Sequence, residues 1–183
     1  AAGLVDSLSA EGIRCFGPSQ AAAQIEASKS FAKDFMARHN IPTAKSQTFT
    51  DAKLAHDYVK AEGAPIVIKA DGLAAGKGVI IATTLAEAEE AVQAAMVDRA
   101  FGQAGARLVI EECLTGPEVS AFYLCDGVRA LALSSAQDHK RIFDEDRGPN
   151  TGGMGAFAPS PLFTPELAAF TRDRIVLPVL DGM

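Results

Sequence analysis

Residues 68–79 read Ile-Lys-Ala-Asp-Gly-Leu-Ala-Ala-Gly-Lys-Gly-Val, and this run constrains the chain more than any other. An apolar segment enters Lys69, a glycine-rich turn carries Lys77, and a second apolar segment, 79–82, leaves. The pattern predicts two strands joined by a loop that can bring backbone N–H groups close to an anion. Two lysines add point charges suited to phosphate. A Walker P-loop does not fit. Three residues, not four, separate Gly72 from Gly76, Gly78 stands where a Ser or Thr should follow Lys77, and a β-type segment follows instead of a helix. Taken alone, a hairpin turn with solvated lysines explains the run equally well.

The flanking pattern is α+β. A helix is expected near the start, with Leu4, Val5 and Leu8 on one face and Gly12 at its end, followed by a short strand at 13–16 closed by Gly17-Pro18. Residues 19–40 read as helical, with Ser28 a candidate internal cap. A strand over 44–49 comes next. Thr50 or Asp51 then caps a helix with Leu54, Tyr58 and Val59 on its inner face. Thr84 and Glu87 match a capping box, opening a helix with Leu85, Ala88, Val92 and Met96 inward. A strand over 108–112 ends in two carboxylates. Segments 119–125 and 128–134 flank Asp126-Gly127, a hairpin signal. Residues 144–161 read as a glycine- and proline-rich loop, and Thr164-Pro165 starts a last helix.

Three more runs bear on chemistry. Glu111-Glu112-Cys113-Leu114 lies at a strand end with Glu118 beyond it. Strand-end backbone offers the donor and acceptor that an adenine needs, and a nearby carboxylate can hold ribose hydroxyls; a solvated acidic strand end is the plainer reading. Gln137-Asp138-His139-Lys140-Arg141 is too polar for a core, so it marks a surface or a site. Residues 148–155 hold four glycines, enough for a second anion nest or for a plain surface loop.

A net charge of −6 argues against a general nucleic-acid surface. No apolar stretch approaches the roughly 20 residues of a membrane span, and none reads as a secretion leader. Cys15, Cys113 and Cys125 show neither zinc nor disulfide spacing and are expected to be buried free thiols in a reducing compartment. Both ends look like cuts through a longer protein.

In order and spacing, CFGPS, IKADGLAAGKGV, IEECLTGPEVS, AQDHKR and GPNTGGMGA resemble the glycinamide ribonucleotide synthetase family (phosphoribosylamine–glycine ligases) of the ATP-grasp superfamily. The resemblance implies two α+β subdomains gripping ATP. Residues 44–111 would form a small lid whose glycine loop is a mobile flap. Residues 19–43 and 112–183 would form an incomplete central subdomain, and 1–18 the tail of an α/β N-terminal domain. By the same resemblance, Lys29 and Lys69 contact ATP phosphates or adenine, and Gly76, Lys77 and Gly78 lie in the flap. Glu111, Glu112 and Leu114 form the adenine hinge, and Glu118 takes the ribose. Asp138, His139 and Lys140 line the reaction centre, where Lys69, Lys77 and Lys140 neutralise charge. Asn150, Thr151, Gly152, Gly153, Met154 and Gly155 bind the phosphoribosylamine phosphate or the glycine end. ATP with Mg²⁺ (or Mn²⁺) is the implied cofactor set, with metal ligands expected beyond Met183 and none in this chain. The implied reaction is cytoplasmic. It joins glycine to 5-phosphoribosylamine through glycyl phosphate in purine biosynthesis, with no nucleic acid and no membrane involved. Another ATP-grasp carboxylate–amine ligase and a nucleotide-binding fragment without catalysis remain open, and the fragment alone is expected to be inactive.

Overall fold

A computed structural model describes residues 2–72 and 78–183, the side chains of residues 146, 149 and 150 excepted. The chain divides into two units, Ala1–Leu114 and Thr115–Met183.

The first unit opens with α1 (Leu4–Ala10), which ends at Gly12 in the left-handed region at φ 72°. The strand expected at 13–16 does not form. A strand needs a neighbour's backbone to pair with, and no described strand lies alongside, so Ile13 and Phe16 stay exposed. The helical run that follows is two helices, α2 (Gln24–Ala27) and α3 (Lys29–Arg38). Ser28 separates them. Its backbone is extended and its hydroxyl accepts from Phe31 N at 3.2 Å, satisfying one of the free amides at the start of α3.

The body of this unit is a four-stranded sheet. Strand β1 (Ser46–Phe49) leads through α4 (Ala52–Glu62) to β2 (Ile66–Ala70). Strand β3 (Val79–Ala82) leads through α5 (Leu85–Val92) to β4 (Leu108–Glu112). The spatial order is β1-β4-β2-β3 with every neighbouring pair antiparallel, so each β-α-β unit has a strand of the other inserted between its own two. The helices cover one face. Their cluster with the sheet includes Ala55, Val59, Ala88 and Val92 against Ile66, Ile68, Leu108 and Ile110. Asp51 caps α4 by accepting from Leu54 N at 2.9 Å. Leu54 itself is exposed, contrary to expectation: with Asp51 as cap, the inward stripe runs through Ala55 and Val59, one turn apart. Thr84 caps α5, but Glu87 reaches back to Thr83 N (2.7 Å) and Thr83 Oγ1 (2.9 Å), one residue further than a simple capping box.

Helix α5 continues into a wide π-type turn, Gln93–Val97, and a 3₁₀ turn, Gly102–Ala106, packs on it. Gly105 permits that contact, since a Cβ there would sit 2.3 Å from the carbonyl oxygen of Ala95. Gly105→Ala is therefore expected to destabilise the chain by about 1–3 kcal/mol through overpacking against backbone. A denaturant midpoint unchanged from wild type would contradict this packing.

The second unit begins with a hairpin of β5 (Tyr123–Cys125) and β6 (Ala130–Ala132), shorter than the sequence suggested. Asp126 closes its turn, one carboxylate oxygen accepting from Val128 N (2.9 Å) and Arg129 N (2.6 Å). Residues 147–157, read as loop, form a strand. Strand β8 (Arg147–Phe157) pairs antiparallel with β7 (Gln137–Phe143). The ladder is bulged on both sides of Arg141, and Gly148 (φ 84°) and Gly153 (φ 129°) adopt backbone states that other residues rarely enter. Helix α6 (Pro165–Thr171), capped by Thr164, continues through a π-type turn into α7 (Leu177–Gly182).

All buried apolar residues among those described lie between Phe35 and Ile110; among the described residues of the second unit only Ser135 and Ser160 are buried. The cysteines are free but not buried: Cys15 is exposed, in the segment that fails to become a strand, and Cys113 and Cys125 are half-buried. Among the described residues no helix is long and apolar enough to cross a membrane.

Candidate functional site

Side chains alternate across a strand. On β2 and β4 that alternation sends Ile66, Ile68, Leu108 and Ile110 to the helix-covered core. Val67, Lys69, Val109 and Glu111 go to the opposite face. The register opposes Val67 to Glu111 and Lys69 to Val109, so Lys69 lies diagonal to Glu111 and the two form an ion pair. Lys33, on α3, meets the other oxygen of Glu111 at 2.5 Å and also donates to Thr43 Oγ1 (2.8 Å) and Ala44 O (3.1 Å). Glu111 is nearly inaccessible, with 5% of its side chain exposed. One buried carboxylate thus holds two ammonium groups.

Lys29 lies one helical turn before Lys33, and its Nζ donates to Gly72 O at 3.1 Å. Two lysines therefore share one carboxylate and a third is held on Gly72 O, leaving surplus positive charge beside the start of the glycine loop. Burial lowers the Lys69 pKa, and the neighbouring charges of Lys33 and Lys29 lower it further. Burial also lowers that of Lys33, against the pull of Glu112. An arriving anion would reverse these shifts, which is how such a cluster favours phosphate.

The remaining first-unit candidates have simpler surroundings. Glu112 Oε1 accepts from Lys45 N (2.8 Å), and its own amide donates to Lys45 O (3.0 Å), securing the entry to β1. Leu114 is exposed and is the last residue of its unit. Gly78 is buried, and its carbonyl accepts from Ala70 N at 2.7 Å, closing the neck of the glycine loop. Gly76, Lys77 and the flap residues 73–77 lie outside the described residues.

In the second unit the β7–β8 pair joins two runs that looked separate in sequence. Asp138 faces Ala156, His139 faces Gly155 and Arg141 faces Asn150. Thr151 Oγ1 donates to Lys140 O (2.8 Å) and accepts from Gly153 N (3.1 Å). Lys140 Nζ lies 3.3 Å from Glu118 and 3.6 Å from Asp138. The hydrogen bond and charge of Glu118, then the charge of Asp138, raise its pKa, so it is held as an ammonium. His139 leans on the Phe157 ring at 5.7 Å between centroids. Gly152 has open space where a side chain would go, and Met154 is exposed.

Sequence reasoning missed Lys33, Asp71 and Arg107. Lys33 was signalled by its four-residue spacing from Lys29 on one helix; Asp71 and Arg107 become partners only through the fold.

The family model of the phosphoribosylglycinamide synthetase ATP-grasp (A) domain matches residues 27–183. The chain belongs to this family. A phosphoribosylamine–glycine ligase from Ralstonia nicotianae is 58% identical over 183 residues, covering 100% of this chain and 43% of that protein. The crystal structure of phosphoribosylamine–glycine ligase from Thermotoga maritima superposes with a TM-score of 0.82 at 35% identity, over 91% of this chain and 42% of the other. A biotin carboxylase domain from Hydrogenobacter thermophilus, at 22% identity and a TM-score of 0.73 over 97% of this chain and 39% of its own, shares the fold. The fold is ATP-grasp, of the α+β class. The chain spans less than half the length of the ligases it matches.

Proposed function

We propose that this chain is the nucleotide-handling portion of a phosphoribosylamine–glycine ligase, which joins glycine to 5-phosphoribosylamine with cleavage of ATP to ADP and phosphate. The observation that carries the reading is the pairing of Lys33 and Lys69 with buried Glu111 and of Lys29 with Gly72 O, beside the glycine loop, in a chain 58% identical to such a ligase. The division into a lid (44–111), a central subdomain (19–43 and 112–183) and a preceding tail (1–18) belongs to the same proposal, as does a cytoplasmic setting.

The chemistry begins with a poor acyl donor. An oxygen of the glycine carboxylate attacks the γ-phosphorus of ATP, and the bond from that phosphorus to the ADP oxygen breaks. The amine nitrogen then attacks the carbonyl carbon of glycyl phosphate, phosphate leaves and the nitrogen gives up its proton. Such transfers need positioning and neutralised charge more than covalent help from the protein. Lys29 and Lys69 supply charge to the phosphates, with Lys77 in the glycine loop. The strand end at Glu111, Glu112 and Leu114 takes the adenine, and Glu118 the ribose. Asp138, His139 and Lys140 face the reacting groups, and the backbone of 150–155 takes the phosphate or glycine end of the substrates. The Mg²⁺ or Mn²⁺ that accompanies ATP is assigned no ligand in this chain.

Lys69→Ala in the full-length protein is expected to raise the KM for ATP or lower kcat by about tenfold or more, the loss of a charge-assisted phosphate contact. The assay follows ADP release that depends on both glycine and 5-phosphoribosylamine. Wild-type constants for the variant would remove Lys69 from the mechanism. ADP release that responds to a different amine would transfer the chain to another ATP-grasp ligase.

A further inference from the structure

The turn leaving β2 is fastened at several points. Asp71 N donates to Arg107 O at 2.9 Å. The Asp71 carboxylate accepts from Ser28 Oγ (3.2 and 3.3 Å), Ser30 N (3.2 Å), Ser30 Oγ (2.5 Å) and, more distantly, Arg107 Nη1 (3.5 Å). Only 7% of its side chain is exposed. Next to it, Gly72 O accepts from Lys29 Nζ, and on the far side of the loop Gly78 O accepts from Ala70 N.

This arrangement is more than a helix cap. Ser28 and Ser30 flank Lys29 in sequence, so the two hydroxyls that Asp71 binds bracket the lysine. Asp71 also lies two residues past Lys69. A single carboxylate therefore ties the helix start bearing Lys29 to the strand end bearing Lys69. It does so at the low-entropy end of both side chains, their backbone attachment. Burial alone would raise the Asp71 pKa; the hydrogen bonds from Ser30, from the Lys29 amide and from Ser28 together outweigh it and hold the carboxyl below its ordinary value. The group is thus ionised at neutral pH, and an ionised acceptor makes the stronger bonds. Its negative charge also suits the amino end of the ten-residue α3.

We propose that Asp71 is a positioning residue for phosphate recognition, fixing Lys29 and the neck of the glycine loop relative to Lys69. The inference rests on the nucleotide reading above. Asp71 touches no substrate; it acts by keeping two cations at the separation a polyphosphate requires. A carboxylate that merely stabilised the fold would weaken all ligands alike or none. A positioning carboxylate affects the phosphates and spares the nucleoside.

The test measures binding of ATP, ADP and adenosine by calorimetry to the full-length protein, its D71N variant and its S30A variant. Asp71→Asn keeps the shape and removes the charge. It is expected to weaken ATP and ADP by about tenfold and to leave adenosine unchanged. Ser30→Ala removes the 2.5 Å donor and is expected to cost ATP about threefold, again sparing adenosine. Equal loss for ATP and adenosine, or no loss for either, overturns the proposal. Should D71N not fold, S30A decides alone by the same ratio. Failure of the wild-type protein to bind ATP overturns the nucleotide reading itself, an outcome visible before any variant is compared.

Discussion

Glu111→Gln is expected to destabilise the chain by about 3–5 kcal/mol, the cost of removing one partner from a buried ion pair. The wild-type carboxylate lies between Lys33 and Lys69, whose side chains are 13% and 29% exposed. The amide is nearly isosteric, so packing survives while the countercharge does not. Two ammonium groups then face each other with little water. Lys33 retains Thr43 Oγ1 and Ala44 O; Lys69 retains nothing comparable among the hydrogen bonds of the described residues. The sign of the pH dependence follows. Without Glu111 both lysines lose protons more readily in the folded state, so the unfolded chain binds more protons and stability rises with pH towards the ordinary lysine pKa of about 10.4. Urea midpoints at neutral and alkaline pH would show a large deficit that narrows as pH rises. A deficit that is absent, or that widens with pH, would show that Glu111 does not balance these lysines.

Ile110→Ala is expected to cost about 2–5 kcal/mol by leaving a cavity in the middle of the sheet. Ile110 is 0% exposed, and the register sets it beside Ile68 on the neighbouring central strand. The control is Ile81→Ala on β3, where the side chain is 48% exposed on the opposite face and removal should cost under about 1 kcal/mol. A midpoint shift for Ile81→Ala as large as that for Ile110→Ala, or larger, would contradict this assignment of the two faces.

What could be read in advance was local. Ser28, Asp51, Thr84 and Thr164 all cap helices where their neighbours said they would, because a cap is decided within a few residues. The strands around the glycine loop were legible for the same reason: short apolar runs bounded by glycine and proline. The ATP-grasp family was legible from its motifs. Failures came where the outcome depends on a distant partner. Residues 13–16 have strand composition but, among the described residues, no strand to join. Residues 147–157 have loop composition and still form β8, because β7 supplies their hydrogen bonds. Leu54 was misplaced by the helical phase. In the candidate site, Lys69 and Glu111 stood out by type, but their contact with each other and with Lys33 depends on the β2–β4 register and on where α3 lies.

That register has a consequence for how mutations are tolerated. On β2 and β4 the ladder that seats Ile68 and Ile110 under the helices also seats Lys69 and Glu111 on the opposite face, beside buried Val67 and Val109. A single-residue insertion or deletion inside either strand would exchange the two faces, taking Ile68 or Ile110 out of the apolar cluster under the helices and setting Lys69 or Glu111 into it. Such a chain would fail at folding before its chemistry could be tried. The spacing of the lysines is therefore protected by the same selection that protects solubility, whether or not the ligand is ever present.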